Sequence, residues 1–388
     1  MQFGNIQNTV TATFDIVTPM FLGGADQQAE HIRPASFKGL LRFWWRAVNW
    51  GKFRKKFTDD ATALRELHKQ EALLFGAAAG EEKGEKVGGQ GCFLMSVTQD
   101  TTKENLKKGG AQDAPTAYLL GMGLYHFQHH LLRNAIRGTF TVSLRFRINT
   151  KPEDRASVSE ALTVLGLLGG LGSRTRRGMG SIQLIKLEGV DSFTIPQDLA
   201  TYKAILNDLV TKGCDAQPPF TAFSPKARWS FLRKPSEDKV LSALGSEFGM
   251  YRGFGNKGNG TEHKTFGQKT EQNFKTDHDQ MYQAASRQPF TDHPKRLIFG
   301  MPHNYFFSSS NKKVDIQNTK AKLERRASPL FMHVHKLGDE YFGVALMLPA
   351  QFLPKDDNVI INNCHLSVNP DWSVIEKFLN RPAFTKGI

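Results

Sequence analysis

The segment from Thr139 to Ile148 constrains the fold of this chain more than any other, because its side chains alternate strictly between apolar and polar. Its apolar positions are Phe140, Val142, Leu144, Phe146 and Ile148. A period of two over this length is typical of a β-strand with one face in a core and the other in solvent. Thr9 to Val17 repeats the pattern. The chain is therefore predicted to build a sheet that is covered on one face.

Helical patterns lie between the predicted strands. The first helix is predicted from Pro34 to about Trp50, with apolar residues at the three- and four-residue spacing of a core-facing stripe. A second is predicted from Arg155 to Leu168, and further strands at Cys92 to Thr98 and Ser181 to Leu187. The order is then β-α-β-β-α-β. This order predicts an α+β fold with a ferredoxin-like unit, the topology that RNA-recognition modules share.

The remaining segments give weaker patterns. Tyr118 to Arg137 is predicted to be helical, Ala77 to Gly91 to be a mobile glycine-rich insertion, and Arg252 to Asp292 to be a loop. Leu330 to Leu337 and Tyr341 to Leu348 flank Gly338 and Asp339, which predicts a β-hairpin. A chain of 388 residues most simply divides into two domains.

The charge of the chain favours a polyanionic partner. Lys and Arg number 51 against 37 acidic residues, for a net charge of +14 and a pI near 9.6. Nucleic acid is the first expectation and an anionic membrane surface the second. No apolar run approaches the roughly 20 residues that span a bilayer, and a cytoplasmic protein is expected. The three cysteines are far apart in sequence, so neither a disulfide framework nor a cysteine metal site is predicted.

The loop from Gly169 to Ser181 carries the strongest binding signal in the sequence. It combines glycines with arginines: Gly172, Gly178, Gly180, Arg174, Arg176 and Arg177. Glycine lets backbone N–H groups approach a phosphate as a nest, and arginine adds permanently charged donors. A tight turn with solvated charges is the alternative. No acidic residue lies between Glu160 and Glu188, which favours phosphate binding.

A second basic stripe is predicted on the first helix, roughly 120° from its apolar face. Its members are Lys38, Arg42, Trp45, Arg46 and Asn49. No acidic residue occurs from His31 to Thr58. Trp45 is predicted to stack a base beside the arginines, whereas Trp44 falls on the apolar stripe and is predicted to be core.

Signals for an enzyme are weak, and no catalytic residue, metal or cofactor is predicted. The histidines His126, His129 and His130 lack the adjacent glutamate of metalloprotease sites, and His333 with His335 is more simply a pair of sheet residues. The open alternative is an RNA endonuclease that uses Asp26 with a metal ion or a histidine such as His31.

Several strings resemble a known family. These strings are similar, in this order, to the first RAMP subunit of Cmr effector complexes, the type III-B CRISPR systems. They are Ile16 to Asp26, Ile32 to Ala47, Leu73 to Gly76, the glycine-arginine loop, Arg325 to Leu330 and Phe342 to Pro354. This chain departs from the family at Ala35, where a second proline is more usual, and in the insertion after Gly76.

The resemblance implies two ferredoxin-like RAMP domains, residues 1–190 and a more divergent 191–388. It implies a non-catalytic subunit that contacts the 3′ part of the CRISPR RNA or the single-stranded target RNA, beside other Cmr subunits. The RNA contacts that it implies are Arg42, Trp45, Arg46, Arg174, Arg176 and Arg177. The basic stripe and the loop add Lys38, Gly172, Gly178 and Gly180 as predicted contacts. A third hypothesis makes the chain a protein-contact cap whose charge only steers it toward RNA.

Overall fold

The computed structural model describes residues 8–24, 31–82, 85–104, 112–126, 128–131, 133–190, 193–318, 325–355 and 357–384. It is a mixed α/β structure with antiparallel sheets. The helices are α1 (Pro34–Lys56), α2 (Asp60–Phe75), α3 (Ala114–Leu120), α4 (Pro152–Leu168), α5 (Leu199–Thr211), α6 (Glu237–Arg252), α7 (Lys275–Ala285) and α8 (Ser373–Leu379), with a 3-10 helix at Lys295–Phe299. Within the described ranges, no helix is long and apolar enough to cross a membrane.

The strands of the described ranges form one four-stranded sheet, two three-stranded sheets and several short hairpins. They are β1 (Thr9–Met20), β2 (Ala77–Glu82), β3 (Glu85–Gly89), β4 (Phe93–Glu104), β5 (Tyr125–His126), β6 (His130–Leu131), β7 (Ala135–Phe146), β8 (Ile182–Glu188), β9 (Arg228–Lys234), β10 (Lys264–Thr265), β11 (Gln268–Lys269), β12 (Tyr305–Phe307), β13 (Lys312–Val314), β14 (Ile316–Asn318), β15 (Leu330–Leu337), β16 (Glu340–Met347), β17 (Asn358–Ile361) and β18 (Cys364–Ser367).

The four-stranded sheet has the order β4-β7-β1-β8, and each neighbouring pair is antiparallel. The alternation in β1 and β7 sends one set of side chains into the core, where Phe14 stacks on its cross-strand partner Phe140 with ring centroids 5.2 Å apart. Phe37 of α1 packs against both rings. Helices α1 and α4 therefore cover this face, as the alternation predicted.

The C-terminal sheet, with the order β15-β16-β9, is shared between two cores. Alternate residues of β15 face opposite ways: Phe331 joins the core beneath α1 and α4, while Met332 joins the core around α6 and α8. Helix α5 reaches the first core, where the Tyr202 hydroxyl donates to Leu167 O over 2.5 Å. The two halves of the chain are thus packed against each other through a common sheet.

Three predicted segments differ from the structure. The predicted helix over Tyr118 to Arg137 is wrong, since α3 closes at Gly121 with a bond to Ala117 O and β5, β6 and β7 follow. The predicted mobile insertion after Gly76 forms the hairpin β2–β3. The predicted loop from Arg252 to Asp292 contains α7 and the hairpin β10–β11. The β15–β16 hairpin is confirmed.

Candidate nucleic-acid interface

The glycine-arginine loop from Gly169 to Ser181 is tied to the end of β1 by its own backbone. Ser173 N donates to Phe21 O over 2.8 Å, and Gly180 N donates to Pro19 O over 2.9 Å. A Cβ at Gly172 would lie 2.5 Å from Phe21 O, so only glycine permits this approach. Gly178 and Gly180 are buried. The expected anion nest is therefore wrong at these two glycines, because they face protein and not solvent.

The same loop joins the two halves of the chain. Arg177 forms a parallel bridge with Met332 of β15, and Met332 N donates to Arg176 O over 3.1 Å. At the end of the loop, Val334 N donates to the Ser181 hydroxyl, and on β8 the Gln183 side-chain oxygen accepts from Lys336 N. The loop and β8 thus connect the N-terminal sheet to the edge of the C-terminal sheet.

Two of the loop arginines cap a helix. Arg174 donates from Nε to Leu120 O over 2.8 Å and from Nη2 to Met122 O over 2.6 Å. Arg177 Nη1 lies 3.3 Å from the carbonyl oxygens of Tyr118 and Leu119. Cations are favourable at a helix C-terminus, where the last carbonyls lack partners. These side chains therefore stabilise the end of α3, a role that the loop sequence did not reveal.

Arg176 lies between two aromatic rings. Its guanidinium is 4.3 Å from the ring centroid of Phe331 and 5.7 Å from that of Phe43, and it donates to Ser328 O. Burial, with a smaller contribution from Arg326, lowers the pKa of Arg176 to about 10. The group is still a cation at neutral pH, so it places a positive charge on an aromatic surface.

An open groove of about 350 Å³ lies between α1 and the loop, beside Arg176. Its lining is Ser36, Gly39, Leu40, Phe43, Trp44, Leu168, Gly169, Gly170, Leu171, Gly172, Thr175, Arg176 and Phe331. Nothing lies within 4 Å of a Cβ built on Gly39, so this glycine opens the wall that α1 contributes. The groove combines apolar and aromatic walls with one cation and the Thr175 hydroxyl.

The basic stripe of α1 faces α2 and not the groove. Arg42 Nε and Arg46 Nη1 donate to the same carboxylate oxygen of Glu71, over 2.6 and 3.0 Å. The Glu71 side chain is 2% exposed, against 33% and 38% for the two arginines. Lys38 extends over the Phe93 ring, 5.7 Å from its centroid. The stripe therefore holds a helix contact, and the structure does not bring Arg42 and Arg46 together with Arg176.

Trp45 does not offer a ring face to a base. Its side chain is 1% exposed and packs against Phe75, and its indole N–H donates to the Ser157 hydroxyl over 2.6 Å. The prediction that Trp45 stacks a nucleotide is wrong, because α2 covers this side of α1. The burial of Trp44 is confirmed.

The open face of the four-stranded sheet also lacks stacking platforms. The aromatic residues of its strands are Phe14, Phe93, Phe140 and Phe146, and all four are buried. The opposite face carries hydroxyl rows such as Thr13 and Thr141, whose Oγ1 atoms lie 3.0 Å apart. RNA-recognition modules stack bases on aromatic residues of the sheet. This sheet has no equivalent surface.

The histidines considered for catalysis that lie within the described residues do not come together in one site. Asp26 lies outside the described residues, and His31 Nδ1 lies 3.1 Å from the Gln99 side-chain nitrogen. His333 and His335 are buried side by side, with 3.4 Å between Nε2 and Nδ1. Across the described ranges, no group of three or more His, Cys, Asp or Glu side chains could hold a metal ion.

Sequence reasoning missed the α1 wall of the groove and its aromatic partner on β15. Ser36, Gly39, Leu40 and Phe43 follow the same three- and four-residue spacing as a core stripe, with two small members. A helix face that packs into a core carries side chains large enough to fill the space, whereas small residues on such a face leave a gap beside the helix. This pattern was a usable signal for the groove. Phe331 had none, since it lies more than 280 positions further along the chain and only the fold brings it there.

Comparison with known proteins gives the class first. Residues 13–183 match the family model of the RAMP superfamily. The match spans β1 through α4 and the glycine-arginine loop, the unit that builds the groove except for Phe331. Over these residues the chain is similar to the RAMP superfamily.

Individual curated proteins give a narrower comparison than the family model. The chain is 27% identical over 191 residues to CRISPR system Cmr subunit Cmr1-2 of Pyrococcus furiosus, covering 45% of this chain and 94% of that protein. It is 24% identical over 362 residues to Cmr1-1 of the same organism, covering 89% and 87%. The crystal structure of apo Cmr1 from Pyrococcus furiosus covers 95% of this chain and 96% of that one, with a TM-score of 0.53 at 18% identity. The chain is thus a relative of the Cmr1 subunits, and the resemblance stated from the sequence is confirmed.

Proposed function

We propose that this chain is an RNA-binding subunit of a type III-B CRISPR effector complex and that single-stranded RNA occupies the groove between α1 and the glycine-arginine loop. The observation that carries the proposal is the pairing of Arg176 with Phe43 and Phe331 in an open groove. The net charge of +14 and the Cmr1 relatives support it. A protein of this charge attracts a polyanion over long range.

The groove favours an unpaired strand over a duplex. A base inserted beside Phe43 would stack on an apolar wall, which requires it to be splayed out of any helix. Its phosphate would lie toward Arg176 and the Thr175 hydroxyl, which are on the loop side. Guanidinium donors match phosphate oxygens in a forked geometry. The site recognises backbone and stacking, so we expect little base specificity.

We infer that the chain contains two ferredoxin-like units, residues 1–190 and 191–388. The antiparallel order β4-β7-β1-β8, with α1 and α4 between the strands, supports the first. The succession β9, α6, β15, β16 and α8, with the sheet order β15-β16-β9, supports the second. The shared sheet then fixes the two units relative to each other.

In the complex, the RNA would be the CRISPR RNA at its 3′ part or the bound target RNA, and the neighbours would be other Cmr subunits. We assign the chain a binding role with no catalytic residue. Its contribution is to hold the strand by its backbone. Arg42 and Arg46 contribute less to this site than the sequence predicted, since Glu71 balances them.

The test compares a groove variant with a matched surface variant. Gly39→Trp places a large side chain in the groove without a clash at Cβ, and Ala61→Trp adds the same side chain at an exposed position of α2. We expect Gly39→Trp to weaken binding of a labelled single-stranded RNA by about tenfold, the loss of one stacked base. Fluorescence anisotropy at several salt concentrations measures it. Ala61→Trp should match the wild type.

Equal RNA affinity of the two variants would show that the RNA does not bind in the groove. Absence of binding by the wild type at low salt would favour the protein-contact hypothesis. Ultraviolet crosslinking of the assembled complex, with peptides mapped, then locates the RNA directly. Crosslinks to Phe43 or Phe331 peptides are the expected result.

A further inference from the structure

A second cavity, of about 260 Å³, lies where the end of the four-stranded sheet meets α3 and α6. We call it the acidic pocket. The buried apolar residues that line it are Phe21, Leu120, Leu131, Met179 and Leu241. The charged residues that line it are Glu104, Asp113, Arg137 and Asp238. Among the described residues it shares no lining residue with the groove beside Arg176, so the two cavities are separate.

Tight packing of α3 on α6 fixes the shape of the acidic pocket. A Cβ built on Gly245 of α6 would lie 2.2 Å from Pro115 O of α3, so only glycine permits this approach. Asp113 caps α3, since its carboxylate accepts from Thr116 N over 2.7 Å, and Asp238 lies in the first turn of α6. Both acids therefore stand at the ends of closely packed helices, and the folded chain forms the pocket by itself.

The acidic pocket carries a net negative charge. Arg137 is already balanced, because its Nε donates to Glu104 Oε2 over 2.9 Å and its Nη1 lies 3.3 Å from Glu237 Oε1. In the described part of the chain, Asp113 and Asp238 have no ion-pair partner, and both are exposed. The N-termini of α3 and α6 offset them by only about half a positive charge each. The mouth of the pocket therefore stays acidic in a protein whose net charge is +14.

The combination of apolar walls and an acidic mouth suits a long basic side chain. Lysine and arginine pack their aliphatic stems on apolar surface while their charged heads reach polar groups. Carboxylates accept charge-assisted hydrogen bonds from such heads, and the apolar surroundings strengthen the attraction. An RNA phosphate does not suit the pocket, because the carboxylates of Asp113 and Asp238 repel it.

We propose that the acidic pocket is a docking site for a lysine or arginine side chain of another protein. Resting on the proposed function, that protein is a neighbouring subunit of the effector complex. Charge complementarity favours a protein partner over the RNA, and the apolar walls provide the close packing that an anchor residue needs at the centre of an interface. The pocket thus determines that the surface of α3 and α6 faces the neighbouring subunit.

The test removes the two unpaired carboxylates and keeps the helix cap. The pocket variant combines Asp113→Asn with Asp238→Asn, because asparagine caps a helix about as well as aspartate. The matched control combines Asp59→Asn with Asp198→Asn, two exposed N-cap carboxylates that also accept a backbone N–H of their helices. Each full-length variant is titrated into the remaining subunits of the complex without RNA, and biolayer interferometry measures Kd. We expect Kd to rise about tenfold for the pocket variant, the loss of one charge-assisted hydrogen bond, and to keep its wild-type value for the control.

Hydrogen exchange of the wild type locates the contact without any variant. Amides in the first turns of α3 and α6 should exchange more slowly when the other subunits are present than in the chain alone. Unchanged exchange at both helices contradicts the proposal, whether or not the pocket variant folds. Slower exchange with an unchanged Kd of the pocket variant shows a contact that does not use the carboxylates, and the basic occupant is then wrong.

Other occupants of the acidic pocket give other outcomes. If the pocket variant loses affinity for single-stranded RNA and keeps its Kd for the subunits, the pocket contacts RNA and the docking proposal is wrong. If Kd is unchanged and spermidine raises the melting temperature of the wild type but not of the pocket variant, the pocket takes a free polyamine. If the wild type binds RNA but no subunit, docking fails while the groove, tested through Gly39→Trp, still stands. If it binds the subunits through the pocket but binds no RNA, only the RNA proposal fails.

Discussion

On α1, Arg42 and Arg46 donate to the buried carboxylate of Glu71, whereas on the loop Arg174 and Arg177 donate only to backbone carbonyls. Both regions are acid-free in sequence over more than 25 positions. Glu71 lies on a different helix, 29 positions from Arg42 and 25 from Arg46. The availability of a cation to a ligand therefore depends on what the fold packs against it.

The two regions also do different structural work. The α1–α2 contact joins two helices within the N-terminal half, while the loop joins that half to β15. Around the loop, the junction contains buried polar groups: Thr18, Ser181 and the pair His333 and His335. A buried polar group must keep its partner and its protonation state. The junction should thus respond to acid and to loss of single hydrogen bonds more than the helix contact does.

The largest expected effect is acid destabilisation of the junction through His333. Burial lowers the pKa of His333 to about 3, from an ordinary value of 6.5. Between these two pKa values the unfolded chain binds a proton at His333 and the folded chain does not. The contribution of His333 to the free energy of unfolding is therefore fully present above pH 6.5 and is lost as the pH falls toward 3. The slope for this group is up to about 1.4 kcal/mol per pH unit. Urea unfolding at several pH values measures it.

His333→Gln is the control for the other groups that titrate in this range. Its stability should decline less steeply between pH 6.5 and pH 4.5 than that of the wild type. Identical slopes would show that His333 is not held neutral in the folded protein.

The next effect breaks the helix contact. Glu71→Gln removes the charge that Arg42 and Arg46 share and should lower the free energy of unfolding by about 2 kcal/mol, the value of a hydrogen bond to a charged group. Both arginines are one third exposed or more, so solvent limits the loss. Affinity for RNA should change little, because this face is not the groove. A large gain in RNA affinity would indicate that the basic stripe of α1 is part of the binding site.

A smaller effect tests one bond of the junction. The Ser181 hydroxyl accepts from Val334 N over 3.1 Å and donates to Gly178 O over 3.0 Å. Ser181→Ala leaves the Val334 N–H without this acceptor, and we expect a loss of about 1–2 kcal/mol in chemical denaturation. Ser36→Ala, at an exposed position, is the control. Equal stability of the two variants would mean that β15 does not depend on this bond.

The sequence predicted the fold where a single strand or helix shows a clear periodicity of apolar residues. Alternation in β7 and the stripe on α1 were sufficient, because a core selects side chains at fixed spacing. The predicted helix over Tyr118 to Arg137 is wrong, because Gly121 and Gly123 interrupt it and short hairpins show little periodicity. The site was less predictable. Helix α2 packs over Trp45, and Phe331 packs against Arg176. Both contacts join residues far apart in the chain, so the local sequence does not predict them.

The smallest expected effect compares the stability of alanine variants at two glycines of α1, one beside the groove and one packed against the protein. Gly39 lies inside α1, where glycine is less favourable than alanine by roughly 0.5–1 kcal/mol. Because nothing lies within 4 Å of its Cβ position, Gly39→Ala should raise the free energy of unfolding by up to about that amount. Gly51 on the same helix is the contrast: a Cβ there would lie 2.4 Å from Lys212 O, so Gly51→Ala should destabilise. Thermal and urea unfolding of the two variants would give opposite signs if α1 has one open and one packed face; the same sign for both would contradict the groove at Gly39.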